Sequence, residues 1–311
     1  MSDRVVVREV GLRDGLQSIG EVMATENKIA WLDAEYAAGV RAFEVSSFVP
    51  PKLLPQLADA EEVVKHAMSL PGLAVSALIP NLRGAERGIA LGVPEMNFVL
   101  SVSEGHNRSN VRRGTDESIA DFRRVVALIR EAPAERRPRI ACGLATSFGC
   151  TIEGEVDEDR VRRIAIEVAE AGADGLILAD TVGYGQPAAI ERVFRKVIAD
   201  VAPLPVAGHF HDTRGLGLAN VLAAFHAGCR TFDASLGGLG GCPYAPGATG
   251  NIVMEDTVFM FEAMGVETGV DLDRLVAVRE IVARALPDVA LHGAIAQAGL
   301  PRNFVPVAKA A

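Results

Sequence analysis

Residues 171–180 read Ala-Gly-Ala-Asp-Gly-Leu-Ile-Leu-Ala-Asp. Before them, Glu158–Ala171 sets Val, Ile and Ala at helical spacing on one face and charged residues on the other. Gly172 falls just past that helix, where a residue of positive φ ends it. Gly175–Ala179 is a short unbroken apolar run, the pattern of a parallel strand covered on both faces. It leads into the carboxylate of Asp180. The same unit recurs: Ala38-Gly39-Val40 precedes the run Ala42–Val45, Leu91-Gly92-Val93 precedes Glu95–Leu100, and Ala227-Gly228-Cys229 precedes Thr231–Ser235. Three of these four strands run into a carboxylate, namely Glu44, Asp180 and Asp233. A helix–Gly–strand unit repeated every ~30–50 residues is the signature of βα units.

Extended along the chain, the pattern predicts eight strands: Val5–Val10, Ala42–Ser47, Ala74–Ile79, Met96–Val102, Arg139–Ala145, Gly175–Ala179, Val206–His211 and Thr231–Leu236. Helices such as Glu26–Ala38 and Glu158–Ala171 lie between them. Eight βα units suggest a closed (β/α)8 TIM barrel, an α/β fold. An open doubly wound sheet is the alternative, but no GxGxxG follows the first strand. A barrel takes about 250 residues, and 311 are present. The chain is therefore read as a barrel over residues 1–265 and a short C-terminal helical extension over 266–311. The last barrel helix is expected near Ile252–Met264, with further helices at Leu272–Leu286 and His292–Ala298. The terminal PRNFVPVAKAA is expected to fray.

Composition narrows the function. The hydrophobic share of 49% excludes a disordered chain, and four Cys in 311 residues do not make a disulfide framework. A net charge of −9 argues against nucleic acid or an anionic membrane as the main partner. No stretch approaches the ~18 apolar residues of a membrane span, and the N-terminal MSDRVVVREV has no targeting pattern. Cys142, Cys150, Cys229 and Cys242 lack zinc-site spacing, so reduced thiols in a cytoplasmic protein are expected.

Barrel sites form at the C-terminal ends of the strands. The first strand runs into Gly11-Leu12-Arg13-Asp14-Gly15-Leu16-Gln17, read either as a salt-bridged surface turn or as part of a site. His209 and His211 stand two apart on the seventh strand, so both imidazoles face one way. Such a pair chelates a divalent ion together with carboxylate or amide oxygens, or else one His satisfies a core hydrogen bond. Asp212 is either a partner orienting an imidazole or the cap of the next helix. After the eighth strand, six Gly fall within residues 237–251 around Cys242. That loop can approach a ligand closely, and its Cys is either a catalytic thiol or an inert one. Arg108, Arg112 and Arg113 form a dense basic run after the fourth strand, read as a contact for coenzyme A phosphates or as a solvated helix start capped by Thr115–Ser118. Among the remaining histidines, which look like surface or packing residues, His106 lies on a strand exit.

Taken in order, these motifs are similar to those of one family. GLGGCPYAPGATGN (residues 238–251) is the most specific, followed by EVGLRDGLQ, FEVSSFVPPKLLPQLAD, LADTVGYGQP and GHFHDTRGLGLAN. The chain resembles hydroxymethylglutaryl-CoA lyase, of the metal-dependent aldolase-like barrels, from about Val7 to Met264. The resemblance implies Asp14, His209, His211 and Asn251 as ligands of Mg²⁺ or Mn²⁺. It implies Arg13 as the arginine that stabilises an enolate, Glu44 as the acid that holds it, and Cys242 as the acid/base or proton-delivering thiol. Gln17 and Asp180 match further active-site positions, and Glu255 a carboxylate after the loop. Ligands at both ends of this span meet only if the first and last strands are adjacent, which favours the closed barrel.

The implied reaction is retro-Claisen cleavage of 3-hydroxy-3-methylglutaryl-CoA to acetyl-CoA and acetoacetate, with an acyl-CoA thioester as partner and a homodimer as the assembly. The chain departs from the family at Leu12, at SIGEVM after Gln17, at HNRSNVRR after the fourth strand, and at Thr151-Ile152. Those loops leave citramalyl-CoA or a longer branched glutaryl-CoA as competing substrates. A Claisen-type synthase is disfavoured by the short tail and the GGCPYA loop, and a catalytically dead barrel by the retention of all four ligand positions.

Overall fold

A computed structural model describes residues 3–240 and 250–307. The eight expected strands are all present, each within two residues of its expected bounds. They are β1 (Val6–Glu9), β2 (Ala42–Ser47), β3 (Ala74–Ile79), β4 (Glu95–Ser101), β5 (Arg139–Ala145), β6 (Gly175–Asp180), β7 (Val206–Phe210) and β8 (Thr231–Ala234). They pair in chain order, all parallel, and β8 returns to β1 to close the barrel. At that seam Val6 faces Thr231 and Arg8 faces Asp233.

The helices that follow the strands are α1 (Thr25–Ala37), α2 (Ala60–Met68), α3 (Leu82–Leu91), α4 (Glu104–Val111), α5 (Thr115–Glu131), α6 (Glu158–Glu170), α7 (Pro187–Val201), α8 (Gly217–His226) and α9 (Met254–Ala263). In α6 the buried residues Val161, Ile164, Ala165 and Val168 fall at helical spacing. They turn that face to the barrel. The short α4 replaces an expected loop: the Ser103 hydroxyl accepts from the His106 amide and starts it.

Alternation along each strand divides the core into two shells. Outward residues meet the helices: Phe98 packs on Phe122 of α5 with ring centres 5.5 Å apart, and Phe232 on Phe261 of α9 at 5.2 Å. Inward neighbours are polar, Asn97 beside Phe98 and Asp233 beside Phe232, and both are buried. The glycines of the repeat, Gly39, Gly92, Gly172 and Gly228, all have positive φ, as the helix endings require. Gly39 also permits close approach. A Cβ there would stand 2.3 Å from the Gly269 carbonyl oxygen.

Beyond the barrel, α10 (Leu272–Ala285) rests on α1 and α9, and α11 (Ala294–Ala298) on α9. The expected fraying of the tail is corrected over residues 301–307. Phe304 packs on Phe259 of α9 at 5.2 Å, and the Val307 amide donates to Glu262 Oε2 at 2.7 Å. An aromatic anchor and a buried acceptor hold this segment where its composition alone gave no periodic pattern.

Candidate active site

After β1 the chain makes one wide helical turn, Gly11–Gly15, in which the amides of Arg13, Asp14 and Gly15 all point at the Val10 carbonyl. Turns of this width recur at functional sites because they re-aim consecutive side chains. Here Arg13 and Asp14 are both buried at the C-terminal mouth of the barrel. On β7 and its exit, His209 and His211 face the same point, with their Nε2 atoms 3.1 Å apart. Asp14 Oδ2 lies 3.9 Å from the first Nε2 and 3.7 Å from the second. Asp14, His209 and His211 are the group among the described residues whose donor atoms all fall within 4.8 Å of one another.

Asn251 joins them from the far end of the barrel sequence, after β8. The chain after β8 returns along β7: the Ile252 amide donates to the Phe210 carbonyl at 3.1 Å, and the Asp212 amide to Gly250 at 3.0 Å. This brings Asn251 Nδ2 to 2.8 Å from Asp14 Oδ2. Asn251 Oδ1 is buried with no hydrogen-bond partner among the described residues. Two imidazoles, a carboxylate and an unsatisfied amide oxygen suit a divalent cation. The four expected ligand residues thus fit such an ion.

The electrostatics follow from this crowding. Burial pushes the Asp14 carboxyl up, but the charge of Arg13, a bond from His211 and the charges of the two imidazoles outweigh it and hold the group well below the usual carboxylate range. Burial lowers His209, but the bond to Asp233 and the charge of Asp14 leave it raised.

Arg13 donates from Nε to Glu44 Oε2 and from Nη1 to Asp14 Oδ1. These bonds fix the guanidinium plane beside the candidate ligand cluster. The surface-turn reading of Arg13-Asp14 is thereby replaced by a buried pair. Gln17 Nε2 donates to Asp14 Oδ1 at 3.1 Å. Asp180 sits at the end of β6, where its carboxylate accepts from the amides of Tyr184 and Gly185 and so folds the following loop. Glu44, Gln17 and Asp180 therefore act on neighbouring groups: a guanidinium, a carboxylate and a backbone turn. Asp212 Oδ1 accepts from the Gly217 amide at 2.7 Å, which favours the helix-start reading.

Other expectations fall away from this centre. Arg108 is exposed and paired with Glu104 at 2.7 Å, Arg112 ends α4, and Arg113 is bound to Asp121 and the Pro80 carbonyl. His106 is buried against the Ser101 hydroxyl at 2.8 Å, and burial lowers its pKa. Cys142, Cys150 and Cys229 are buried and free; burial pushes the Cys229 thiol up to about 12. Cys242 lies outside the described residues.

Glu255 is not at the mouth. Its Oε2 accepts from the Gly237 amide at 2.9 Å, and its Oε1 binds Arg279 of α10 at 2.5 Å. Beside it, Glu9 accepts from the amides of Gly11 and Leu236, and burial raises it to about 8. Glu35 of α1, buried next to Glu9, is raised well above the usual carboxylate range, chiefly by burial. These acids clamp the strand exits that lead to Asp14 and to Asn251.

Sequence reasoning assigned no role to Asp233, Arg8 or Asn97. Asp233 Oδ2 faces His209 Nδ1 at 3.1 Å, and Arg8 Nε donates to Asp233 Oδ1 at 2.7 Å. Asn97 Nδ2 donates to Glu44 Oε1 at 2.7 Å. A signal existed for Arg8, since a charge inside the apolar run VVVREV must be paired if that strand is buried.

Comparison with known proteins gives the family of this chain. The HMGL-like family model matches residues 4–282. The hydroxymethylglutaryl-CoA lyase of Bacillus subtilis is 40% identical, over 91% of this chain and 95% of its own. The (R)-citramalyl-CoA lyase of Chloroflexus aurantiacus is 37% identical over 91% and 92%. A solved HMG-CoA lyase of Acinetobacter baumannii, in complex with coenzyme A and 3-methylmalate, superposes with a TM-score of 0.90 at 38% identity, covering 98% of both chains. The chain belongs to the HMGL-like family, the barrel carbon–carbon lyases of the hydroxymethylglutaryl-CoA lyase type.

Proposed function

We propose that this protein cleaves 3-hydroxy-3-methylglutaryl-CoA to acetyl-CoA and acetoacetate, using a divalent ion, Mg²⁺ or Mn²⁺. The observation that carries the reading is the convergence of Asp14, His209, His211 and Asn251 beside the Glu44-anchored guanidinium of Arg13. The ion, when held by those four residues, lowers the pKa of the substrate hydroxyl and orients it.

The hydroxyl gives its proton to the Cys242 thiolate, the base the family resemblance implies, the C2–C3 bond breaks, and its electron pair passes into the thioester as an enolate. C3 becomes the ketone carbon of acetoacetate. Arg13 spends Nε and Nη1 on Glu44 and Asp14, which leaves Nη2 to donate to the developing enolate oxygen. A proton then returns to C2, and Cys242 on the loop after β8 is the residue assigned to deliver it. Arg108 and Arg112, at the α4 corner on the same barrel face, are the candidates for the coenzyme A phosphates. Arg113 is committed to Asp121 and Pro80. A cytoplasmic homodimer is the assembly we expect; among the described residues no helix is long and apolar enough to cross a membrane.

Citramalyl-CoA is the second reading, because the Chloroflexus relative named for that substrate is 37% identical, as are several hydroxymethylglutaryl-CoA lyases. The exposed Ile152 on the β5 loop is one of the departures that shape this choice. Acetyl-CoA release from a panel of 3-hydroxyacyl-CoA thioesters, with and without Mn²⁺, separates the two. The proposal expects the highest kcat/KM with 3-hydroxy-3-methylglutaryl-CoA and a severe defect in Cys242→Ser. Preference for citramalyl-CoA overturns the substrate assignment.

A further inference from the structure

His209 and His211 are not equivalent. Their Nε2 atoms meet at the ligand cluster, so each must keep its proton on Nδ1 to offer a lone pair there. His209 Nδ1 faces an acceptor, Asp233 Oδ2, at 3.1 Å. His211 Nδ1 is buried with no hydrogen-bond partner among the described residues. The protein therefore sets the tautomer of one imidazole and leaves that of the other unset.

Asp233 is itself held. It stands directly opposite Arg8 across the β1–β8 seam. Arg8 places Nε and Nη2 each 2.7 Å from Asp233 Oδ1, and its Nη1 lies 3.6 Å from Glu95. Both residues are buried inside the barrel. The two oxygens of Asp233 are thus divided, Oδ1 to the guanidinium and Oδ2 to the imidazole. A carboxylate so neutralised stays an acceptor for His209 and does not compete as a metal ligand.

We propose that Arg8 and Asp233 are positioning residues that fix His209 as the Nδ1–H tautomer before metal binds, making His209 the preset imidazole ligand. This rests on the metal-dependent reading above for its purpose, but the tautomer is measurable without metal.

The test exploits amide asymmetry. In Asp233→Asn, Arg8 can donate only to the amide oxygen, so the amide nitrogen must face His209. A donor there requires a lone pair on Nδ1, and the proton moves to Nε2. Removing the guanidinium as well, in Arg8→Met/Asp233→Asn, frees the amide to turn its oxygen to His209. Histidine ring-nitrogen NMR shifts are read on metal-free protein above the imidazole titration range, with His209 assigned by its loss in His209→Gln. Mn²⁺ affinity is measured in parallel.

The expected results are Nδ1–H in the wild type, Nε2–H in Asp233→Asn, and return of Nδ1–H in the double variant. Mn²⁺ binding should weaken ~10–100-fold in the single variant and recover in the double. Wild-type His209 carrying its proton on Nε2, or an unchanged tautomer in Asp233→Asn, overturns the proposal. A wild type that shows the Nδ1–H form yet binds no Mn²⁺ overturns the metal reading instead. If Asp233→Asn fails to fold, the wild-type and double-variant spectra still decide.

Discussion

Asn251 Nδ2 donates to Asp14 Oδ2 across 2.8 Å, joining residues 237 positions apart. One follows the first strand and the other comes after the last. Barrel closure is thus the condition for the site, and the ligand set cannot assemble before β8 pairs with β1. Conversion of Asp14 to Asn should abolish high-affinity Mn²⁺ binding and leave the far-ultraviolet circular dichroism spectrum unchanged. Calorimetric titration of the variant against Mn²⁺ measures this; full-strength binding would remove Asp14 from the ligand set.

Glu44 divides its oxygens between Arg13 and Asn97. Glu44→Gln keeps the shape but loses the charge that orients the guanidinium. Removing one preorganised donor from a developing oxyanion costs about 10²–10³ in rate. We therefore expect kcat to fall about 10²-fold with a much smaller change in KM, read from steady-state kinetics of acetyl-CoA release. A change confined to KM would place Arg13 in substrate binding rather than in the chemical step.

Buried acids set a pH dependence of stability. Glu9 is raised to about 8 and Glu35 is raised with it, chiefly by burial. Between the ordinary carboxylate range and those raised values the folded chain binds more protons than the unfolded chain. This part of the stability is complete at low pH and is lost as pH rises toward 8 and above. Asp14 and Asp233 are lowered and contribute in the opposite sense, losing stability only in acid. Glu35→Gln removes one raised group. Its stability relative to the wild type should improve with pH by up to about 1.4 kcal/mol per unit as pH rises above the ordinary carboxylate range. Denaturant unfolding at several pH values measures the difference; a gap that does not change with pH would contradict the buried protonated acid.

Gly39 tests the helix–Gly–strand unit itself. Its φ is +104°, and a Cβ would sit 2.3 Å from the Gly269 carbonyl oxygen, which is backbone and has little room to move. Gly39→Ala should lose about 2 kcal/mol or more. A shift within about 0.5 kcal/mol in denaturant unfolding would mean that the α1 end relaxes freely.

Much of this architecture was legible in the chain. Parallel strands buried on both faces leave unbroken apolar runs, so even the short β8 could be found, and the four repeat glycines marked the helix ends. Asp14, His209, His211 and Asn251 were legible through motif order. Their meeting point depended on closure, which no local pattern encodes. The interior pairs were hidden for a related reason. Arg8 and Asp233 are 225 positions apart, and only the seam sets them side by side. Glu255, a carboxylate shortly after the loop, was likewise hidden in its contacts: its side chain binds Arg279 and accepts from the Gly237 amide.

The central claim is cleavage of 3-hydroxy-3-methylglutaryl-CoA at a metal centre built on Asp14, His209, His211 and Asn251. Its most direct measurement is acetoacetate and acetyl-CoA formation by chelator-stripped protein before and after addition of Mn²⁺. The account predicts no measurable turnover before addition and equimolar release of the two products after it. Full turnover by the metal-free protein, or none after Mn²⁺ is restored to folded protein, would contradict it.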